Sequence, residues 1–441
     1  MKETAPANGF EPRIIAFVCK WCTYAGADLA GTSRMTYAPN VRTLMLPCTG
    51  RIDVSFVLRA FLDGADGVIV SGCHPGDCHY TAGNYRARRR WTLIRDLLDV
   101  IGFDLGRFEL AWISAAEGAK WVKTIQAFTD KIKLLGGYDA MRLVAANQAP
   151  DLAPAMGPAT FRLNEAQPAD PQMKAAIDEA LATGKTKAVI AWTRNRTLSR
   201  PRPSWILPGE AAGELVAPGK SGNLARFLKN PKLKASLPVG MVARRSEVLA
   251  LNVLAQESQI DPAKIVLFVT AEDGKFLGTM DLAGASACLA RELPADRPTG
   301  FPETTWENLD ALMTKPPGER WAFWREQAAR CIKCYACRGS CPMCGCEQCF
   351  ADKNQPQWFP TAADGAGNFS WHLLRAFHLA GRCVGCGSCG NACPAGIQLD
   401  LLNAAMARSA WRHFSHRAGL DPLGVPLQSD YLPNDREDFI L

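Results

Sequence analysis

The chain has 441 residues, 48% of them hydrophobic and 21% charged, with a formal net charge of +7 at pH 7; these ordinary proportions indicate neither a disordered chain nor a membrane class. No apolar run approaches the roughly 18 residues a membrane helix needs, so no transmembrane segment is expected. The modest charge, spread in short basic groups, argues against nucleic acid as a partner. The start, MKETAPANGFEPR, lacks the apolar stretch of a secretory signal, which makes the cytoplasm the expected location. Thiols stay reduced there, so seventeen cysteines read as metal or cluster ligands and not as a disulfide framework.

In chain order, short apolar runs alternate with helix-period segments, the pattern of a parallel sheet with crossover helices. Strands are expected at Ile14–Val18, Val41–Leu46, Gly67–Val70 and Phe108–Ile113, with helices at Asp53–Leu62, Arg86–Ile101 and Glu117–Leu135. Residues 140–180 include the Ala- and Pro-rich AANQAPDLAPAMGPA and read as a linker. A middle unit follows, with strands at Ala188–Trp192, Val239–Ala243 and Ile265–Thr270 and a helix at Ser246–Gln256, interrupted by the proline-rich loops SRPRPSW and KPPGERW. The expected fold is therefore α/β: an N-terminal open parallel sheet (1–139), a middle α/β domain (181–325), a C-terminal two-cluster ferredoxin-like domain (326–410) and a tail (411–441).

Cys331-x-x-Cys334-x-x-Cys337-x-x-x-Cys341-Pro342 recurs as Cys383-x-x-Cys386-x-x-Cys389-x-x-x-Cys393-Pro394. Each run has the ferredoxin spacing for a 4Fe-4S cluster, in which the fourth cysteine serves the other cluster. The expected sets are Cys331, Cys334, Cys337 and Cys393 for one cluster, and Cys383, Cys386, Cys389 and Cys341 for the other. The 41 residues between Cys341 and Cys383 are a long insertion for a simple ferredoxin. Zinc, the competing occupant, rarely uses a third cysteine at this spacing. Gly385, Gly387 and Gly390 spell a dinucleotide fingerprint but follow no strand; they read as backbone room around sulfide. Cys344, Cys346 and Cys349 remain: they are ligands of an additional cluster or metal, or structural thiols beside the first cluster. Cys288 reads as a small buried hydrophobe.

Cys19 and Cys22 follow the first strand, Cys48 the second and Cys73 the third, with Cys78 five residues on. The ends of parallel strands lie along one edge, so these thiols should converge on a metal or cluster; zinc, 2Fe-2S and 4Fe-4S all accept such sulfur. His74 and His79 flank two of them and could ligate, although hydrogen bonding to a ligand sulfur is the expectation. Arg86, Arg88, Arg89 and Arg90 read as a solvated helix face, with docking of an acidic partner as the alternative.

The runs FVCKWCTYAGADLAG, LPCTGRID, GADGVIVSGCHPGDCHY and NYRARRRW resemble the delta subunit of methyl-viologen-reducing hydrogenase over about residues 13–137. That resemblance implies a 2Fe-2S cluster on four of Cys19, Cys22, Cys48, Cys73 and Cys78, and delivery of electrons to heterodisulfide reductase complexes. LPVGMVARRSEVLALNVLAQESQIDPAKIVLFVT, with CIKCYACRGSCPMCGCEQCF after it, resembles beta subunits of deazaflavin-dependent hydrogenases and formate dehydrogenases, which bind a flavin and two 4Fe-4S clusters. Arg245 and Ser246 stand where that family's pattern has a cysteine, so only its architecture and clusters carry over. GELVAPGKS places five residues between its glycines where a P-loop needs four, which rules out nucleotide hydrolysis.

The expected function is an electron relay with no catalytic residues of its own. It would pass single electrons between a second redox subunit, such as a hydrogenase or formate dehydrogenase, and a heterodisulfide-reductase-like flavoprotein. FAD is not expected on this chain, and a flavin in the middle unit acting on a small substrate is the alternative.

Overall fold

The computed structural model describes residues 9–139, 141, 144, 167–194, 201–210, 214–217, 222–229, 238–290, 297–298, 300–435 and 440. Its N-terminal part is an α/β unit of four parallel strands: β1 (Ile14–Cys19), β2 (Val41–Leu46), β3 (Gly67–Gly72) and β4 (Phe108–Trp112), in the order β2-β1-β3-β4. All three pairings are parallel, so every strand ends at the same edge. Helices α1 (Thr23–Thr32) and α4 (Gly118–Leu135) pack together on one face. Helices α2 (Val54–Leu62) and α3 (Gly83–Val100) cover the other. The α2 stripe of Val54, Val57, Leu58 and Phe61 is wholly buried, at the i, i+3, i+4, i+7 spacing of a one-sided helix. Helix α1 escapes the sequence reading, because its small residues give no apolar stripe.

A second sheet of five strands forms the middle: β5 (Ala188–Arg194), β6 (Pro201–Ile206), β7 (Val239–Ala243), β8 (Ile265–Thr270) and β9 (Phe276–Met280). Its order is β6-β5-β7-β8-β9, with a parallel centre and antiparallel edges. The SRPRPSW segment, expected as a loop, supplies β6; proline is tolerated there because an edge strand leaves one row of backbone groups unpaired. Within the expected linker, Pro171–Ala182 is a helix, α5, started by Asp170, whose carboxylate accepts from the Gln172 N–H. The Ala- and Pro-rich run before it lies outside the described residues, as does most of GELVAPGKS. Helices α6 (Arg245–Gln256) and α7 (Leu282–Ala290) flank this sheet.

The C-terminal region is helical: α8 (Glu303–Met313), α9 (Pro317–Ala329), the short α10 (Ala336–Gly339), α11 (Gly365–His378), the short α12 (Ser388–Asn391) and α13 (Leu399–Phe414). KPPGERW is the start of α9, with Pro317 in its first turn. One continuous hydrophobic core joins the α2–α3 face of the first sheet to α8, α11 and α13. Polar ties reinforce it. Arg320 donates to the Asp99 carboxylate at 2.9 Å, Trp324 Nε1 to the Val100 carbonyl at 3.1 Å, and Ser409 Oγ to Asp96 at 2.7 Å. Among the described residues no helix is long and apolar enough to cross a membrane.

Arg88 and Arg89 of α3 correct the expectation of a solvated or docking face, while Arg86 is exposed as expected. Arg88 and Arg89 are 1% and 3% exposed. Arg89 Nε meets Asp435 at 2.6 Å and Arg88 donates to the Leu432 carbonyl at 2.7 Å, so both hold the C-terminal segment against the first sheet. Arg90 donates to the Gly50 carbonyl beside Cys48.

Candidate functional site

The parallel register brings the N-terminal thiols to one edge. Cys19 closes β1 opposite Leu46, two residues before Cys48, and Cys73 follows β3 directly. Cys19 and Cys73 Sγ lie 3.7 Å apart, and Cys48 and Cys78 Sγ 3.8 Å apart. Two sulfurs bound to one tetrahedral metal at about 2.3 Å are separated by roughly 3.8 Å, so each pair has the span of two ligands on a single metal. Among the described residues no three Cys, His, Asp or Glu side chains close on one ion; the thiols fall into pairs.

Cys22, the residue before α1, lies beside Cys73 as a fifth thiol. The bond from Cys73 and the amides of Trp21, Cys22 and Thr49 hold the Cys19 thiol below its ordinary range, against the effect of burial. Burial pushes Cys48 up to about 11.

Sequence reading missed the residues that shape this pocket. A Cβ on Gly83, the first residue of α3, would come within 2.1 Å of Cys48 Sγ and 3.1 Å of Cys78 Sγ. Only glycine leaves that space to the sulfurs. Asn84 next to it donates to the Cys73 and His74 carbonyls at 3.2 and 2.5 Å, fixing the loop that carries two of the thiols. His74 Nε2 is engaged with Glu117 at 2.7 Å, and His79 stacks on Trp21 with ring centres 3.8 Å apart.

In the C-terminal region one cavity is lined by Cys331, Cys334, Cys337 and Cys393, with Trp371 and His372 on its wall. Cys341 interacts electrostatically with Cys383, Cys386 and Cys389. The two runs share one backbone device. Lys333 and Tyr335 have φ of 51° and 57°, and Gly385 and Gly387, at the same places in the second run, have φ of 69° and 70°. Such left-handed residues turn backbone N–H groups inward, as in anion-binding nests. The Lys333 N–H accordingly points to Cys331 Sγ at 3.4 Å, and the Gly385 and Ser388 amides bond Cys383 and Cys386. Of the fingerprint glycines, Gly385 and Gly387 therefore serve backbone geometry, whereas Gly390 lies within the short α12, and no strand leads into that helix.

Of the remaining cysteines, Cys344 is hydrogen-bonded to Cys341, Cys346 is exposed and Cys349 is half-buried. Cys288 is half-buried on α7 and not enclosed as expected.

The 41-residue insertion supplies α11, whose Asn368, Trp371, His372 and Arg375 share one face at i, i+3, i+4, i+7. Asn368 donates to the Cys331 carbonyl at 2.7 Å, Trp371 bonds the Cys337 sulfur, and Arg375 donates to the Cys337 carbonyl at 3.2 Å. Burial opposes the charge on Arg375, but Cys389, Cys341, Cys344 and Cys337 outweigh it and hold the guanidinium well above its ordinary range. Burial, with the cations Arg375 and Lys333, pushes His372 down to about 3, so its imidazole is neutral.

Comparison with known proteins agrees with this geometry at the N-terminal sheet. The family described as methyl-viologen-reducing hydrogenase, delta subunit, matches residues 14–136. The iron-sulfur D chain of the vhc F420-non-reducing hydrogenase of Methanococcus voltae is 51% identical over 130 residues, 30% of this chain and 90% of the relative. The iron-sulfur D chain of the F420-non-reducing hydrogenase of Archaeoglobus profundus is 46% identical over 129 residues, 29% of this chain and 94% of the relative. The A chain of the ferredoxin/F(420)H(2)-dependent CoB-CoM heterodisulfide reductase of Methanosarcina acetivorans is 43% identical over 125 residues, 28% of this chain and only 16% of that protein. The same unit thus occurs both as part of a much larger redox chain and as a small separate subunit. Through residues 14–136, this chain belongs to the delta subunit family of methyl-viologen-reducing hydrogenase.

Proposed function

We propose that the chain relays single electrons between a 2Fe-2S cluster at the N-terminal sheet edge and two 4Fe-4S clusters in the C-terminal region. Cys19 and Cys73 would hold one iron and Cys48 and Cys78 the other, leaving Cys22 as the spare thiol. Cys331, Cys334, Cys337 and Cys393 would hold one 4Fe-4S cluster, and Cys383, Cys386, Cys389 and Cys341 the second. Bound clusters supply reversible one-electron chemistry. The protein's part is to provide thiolates, to exclude water around them, and to aim amides and buried cations at sulfur.

The observation that carries the relay is the shared core: Cys337, Cys389 and Cys393 pack in the same hydrophobic body as the α2–α3 face beneath the N-terminal thiols. Cys341, Cys383 and Cys386 pack with the core of the second sheet, so the C-terminal cysteines draw on both cores. A one-electron carrier works in contact with proteins that do two-electron chemistry. The heterodisulfide reductase and hydrogenase relatives point to those partners: a flavoprotein of the first type and a second redox subunit.

Anoxic affinity purification of the native complex tests this, and both partners should be recovered with the chain. An isolated monomer that turns over a small two-electron substrate, with flavin released on acid extraction, would contradict the relay and favour a flavoenzyme.

A further inference from the structure

Asn368, Ser370, His372 and Arg375 of α11 each bury a polar side-chain atom without a hydrogen-bond partner, and the nitrogen donors among them belong to His372 and Arg375. His372 is 7% exposed, and neither ring nitrogen has a hydrogen-bond partner. Its ring stands on the wall of the cavity lined by Cys331, Cys334, Cys337 and Cys393. Arg375 is 5% exposed, and its Nε is unpartnered while the guanidinium lies among cysteines of both runs. An orphaned buried donor costs about 1–3 kcal/mol, so a helix presenting two of them toward thiols needs acceptors there. Cluster sulfurs are such acceptors.

We infer that α11 sets the reduction potentials of the two C-terminal clusters, His372 by donating its ring N–H to a sulfur of the Cys331, Cys334, Cys337 and Cys393 cluster, and Arg375 by placing its positive charge between both. Each reduction brings in one electron and no proton, so the cluster and its thiolates gain one negative charge. A hydrogen bond to sulfur or a nearby cation favours that more negative state and raises the potential. The imidazole serves one cluster because it stands on the wall of that cluster's cavity. The guanidinium serves two: it donates to the Cys337 carbonyl at 3.2 Å, and Cys389 and Cys341, which also act on its charge, belong to the other ligand set. Both are positioning residues that act through the clusters.

The inference rests on the cluster assignment proposed above. Its test is an anoxic potentiometric titration of the full chain followed by electron paramagnetic resonance. In His372→Phe, one of the two 4Fe-4S signals should titrate lower, with the reduced-to-oxidised ratio at a fixed ambient potential falling about tenfold, or 59 mV for one electron. His372→Gln, which keeps an N–H donor, should stay near the wild type. Arg375→Met should lower both signals and Arg375→Lys should hold them; the His372 pair decides even where Arg375→Met fails to fold. Both signals intact and unmoved in His372→Phe would overturn the inference. A wild type without two 4Fe-4S signals would overturn the cluster assignment itself, a result visible before any variant is made.

Discussion

His378 Nε2 donates to Asp53 Oδ2 at 3.2 Å, joining the end of α11 to the start of α2. Asp53 is also the N-cap of α2, accepting from the Ser55 N–H at 2.9 Å. It stands five residues after Cys48, and His378 three after Arg375, so this contact links the segments that carry the two cysteine regions.

Burial alone would raise the Asp53 carboxyl, but His378 and Ser55 outweigh it and leave it at about 2, below its ordinary 3.8. A depressed carboxyl contributes stability that is complete above the ordinary value and is lost as pH falls through the folded one. The contribution is on the order of 2 kcal/mol and should disappear between about pH 4 and pH 2. Thermal unfolding against pH should therefore show the difference between wild type and Asp53→Asn shrinking over that window. A difference independent of pH would contradict it.

Asp435 is 7% exposed and neutralises Arg89 inside the core. Removing one partner of a buried ion pair costs about 3–5 kcal/mol where the other charge is left uncompensated, and Arg89 would keep the more exposed Asp430 at 3.8 Å. Asp435→Ala should lower stability by up to that amount in denaturant titration and make the segment after α13 sensitive to limited proteolysis. Unchanged stability would mean that this segment does not dock.

Gly385 and Gly387 have nearly the same φ but different surroundings. A Cβ on Gly387 has only Asn391 Nδ2 at 4.0 Å, so Gly387→Ala should cost about 1–2 kcal/mol from backbone strain alone. A Cβ on Gly385 would sit 2.6 Å from the Gly300 carbonyl carbon and the Phe301 nitrogen. Gly385→Ala should cost markedly more and displace the 300–301 segment. Equal costs for the two variants would refute that packing.

Gly83→Ala places a methyl group where the Cys48 and Cys78 sulfurs stand. Iron in the anoxically purified variant should fall by about two per chain with both 4Fe-4S signals preserved. Wild-type iron in Gly83→Ala would show that the N-terminal cluster does not occupy this pocket.

Local pattern made much of the architecture legible. Val41–Leu46, Val239–Ala243 and Ile265–Thr270 are strands with the bounds expected of their β-branched, apolar runs, and the N-terminal cysteines do meet at one sheet edge. Long-range partners were not legible. Arg88 and Arg89 look like a surface charge run until Leu432 and Asp435 arrive from more than three hundred residues away. Likewise, nothing in NFSWHLLRAFH announces that its Asn, Trp, His and Arg face cysteines, because one helical stripe of polar residues ordinarily faces water. The prolines of β6 misled for a different reason: the rule against proline in strands holds for central strands, and sequence does not show which strand is an edge.

The most direct test of the account is the metal content of the anoxically purified chain, read together with its Mössbauer spectrum. One 2Fe-2S and two 4Fe-4S clusters predict about ten irons per chain, in two spectral classes, with essentially no zinc. About eight irons with zinc present, and no 2Fe-2S component, would contradict the N-terminal assignment and with it the three-centre relay.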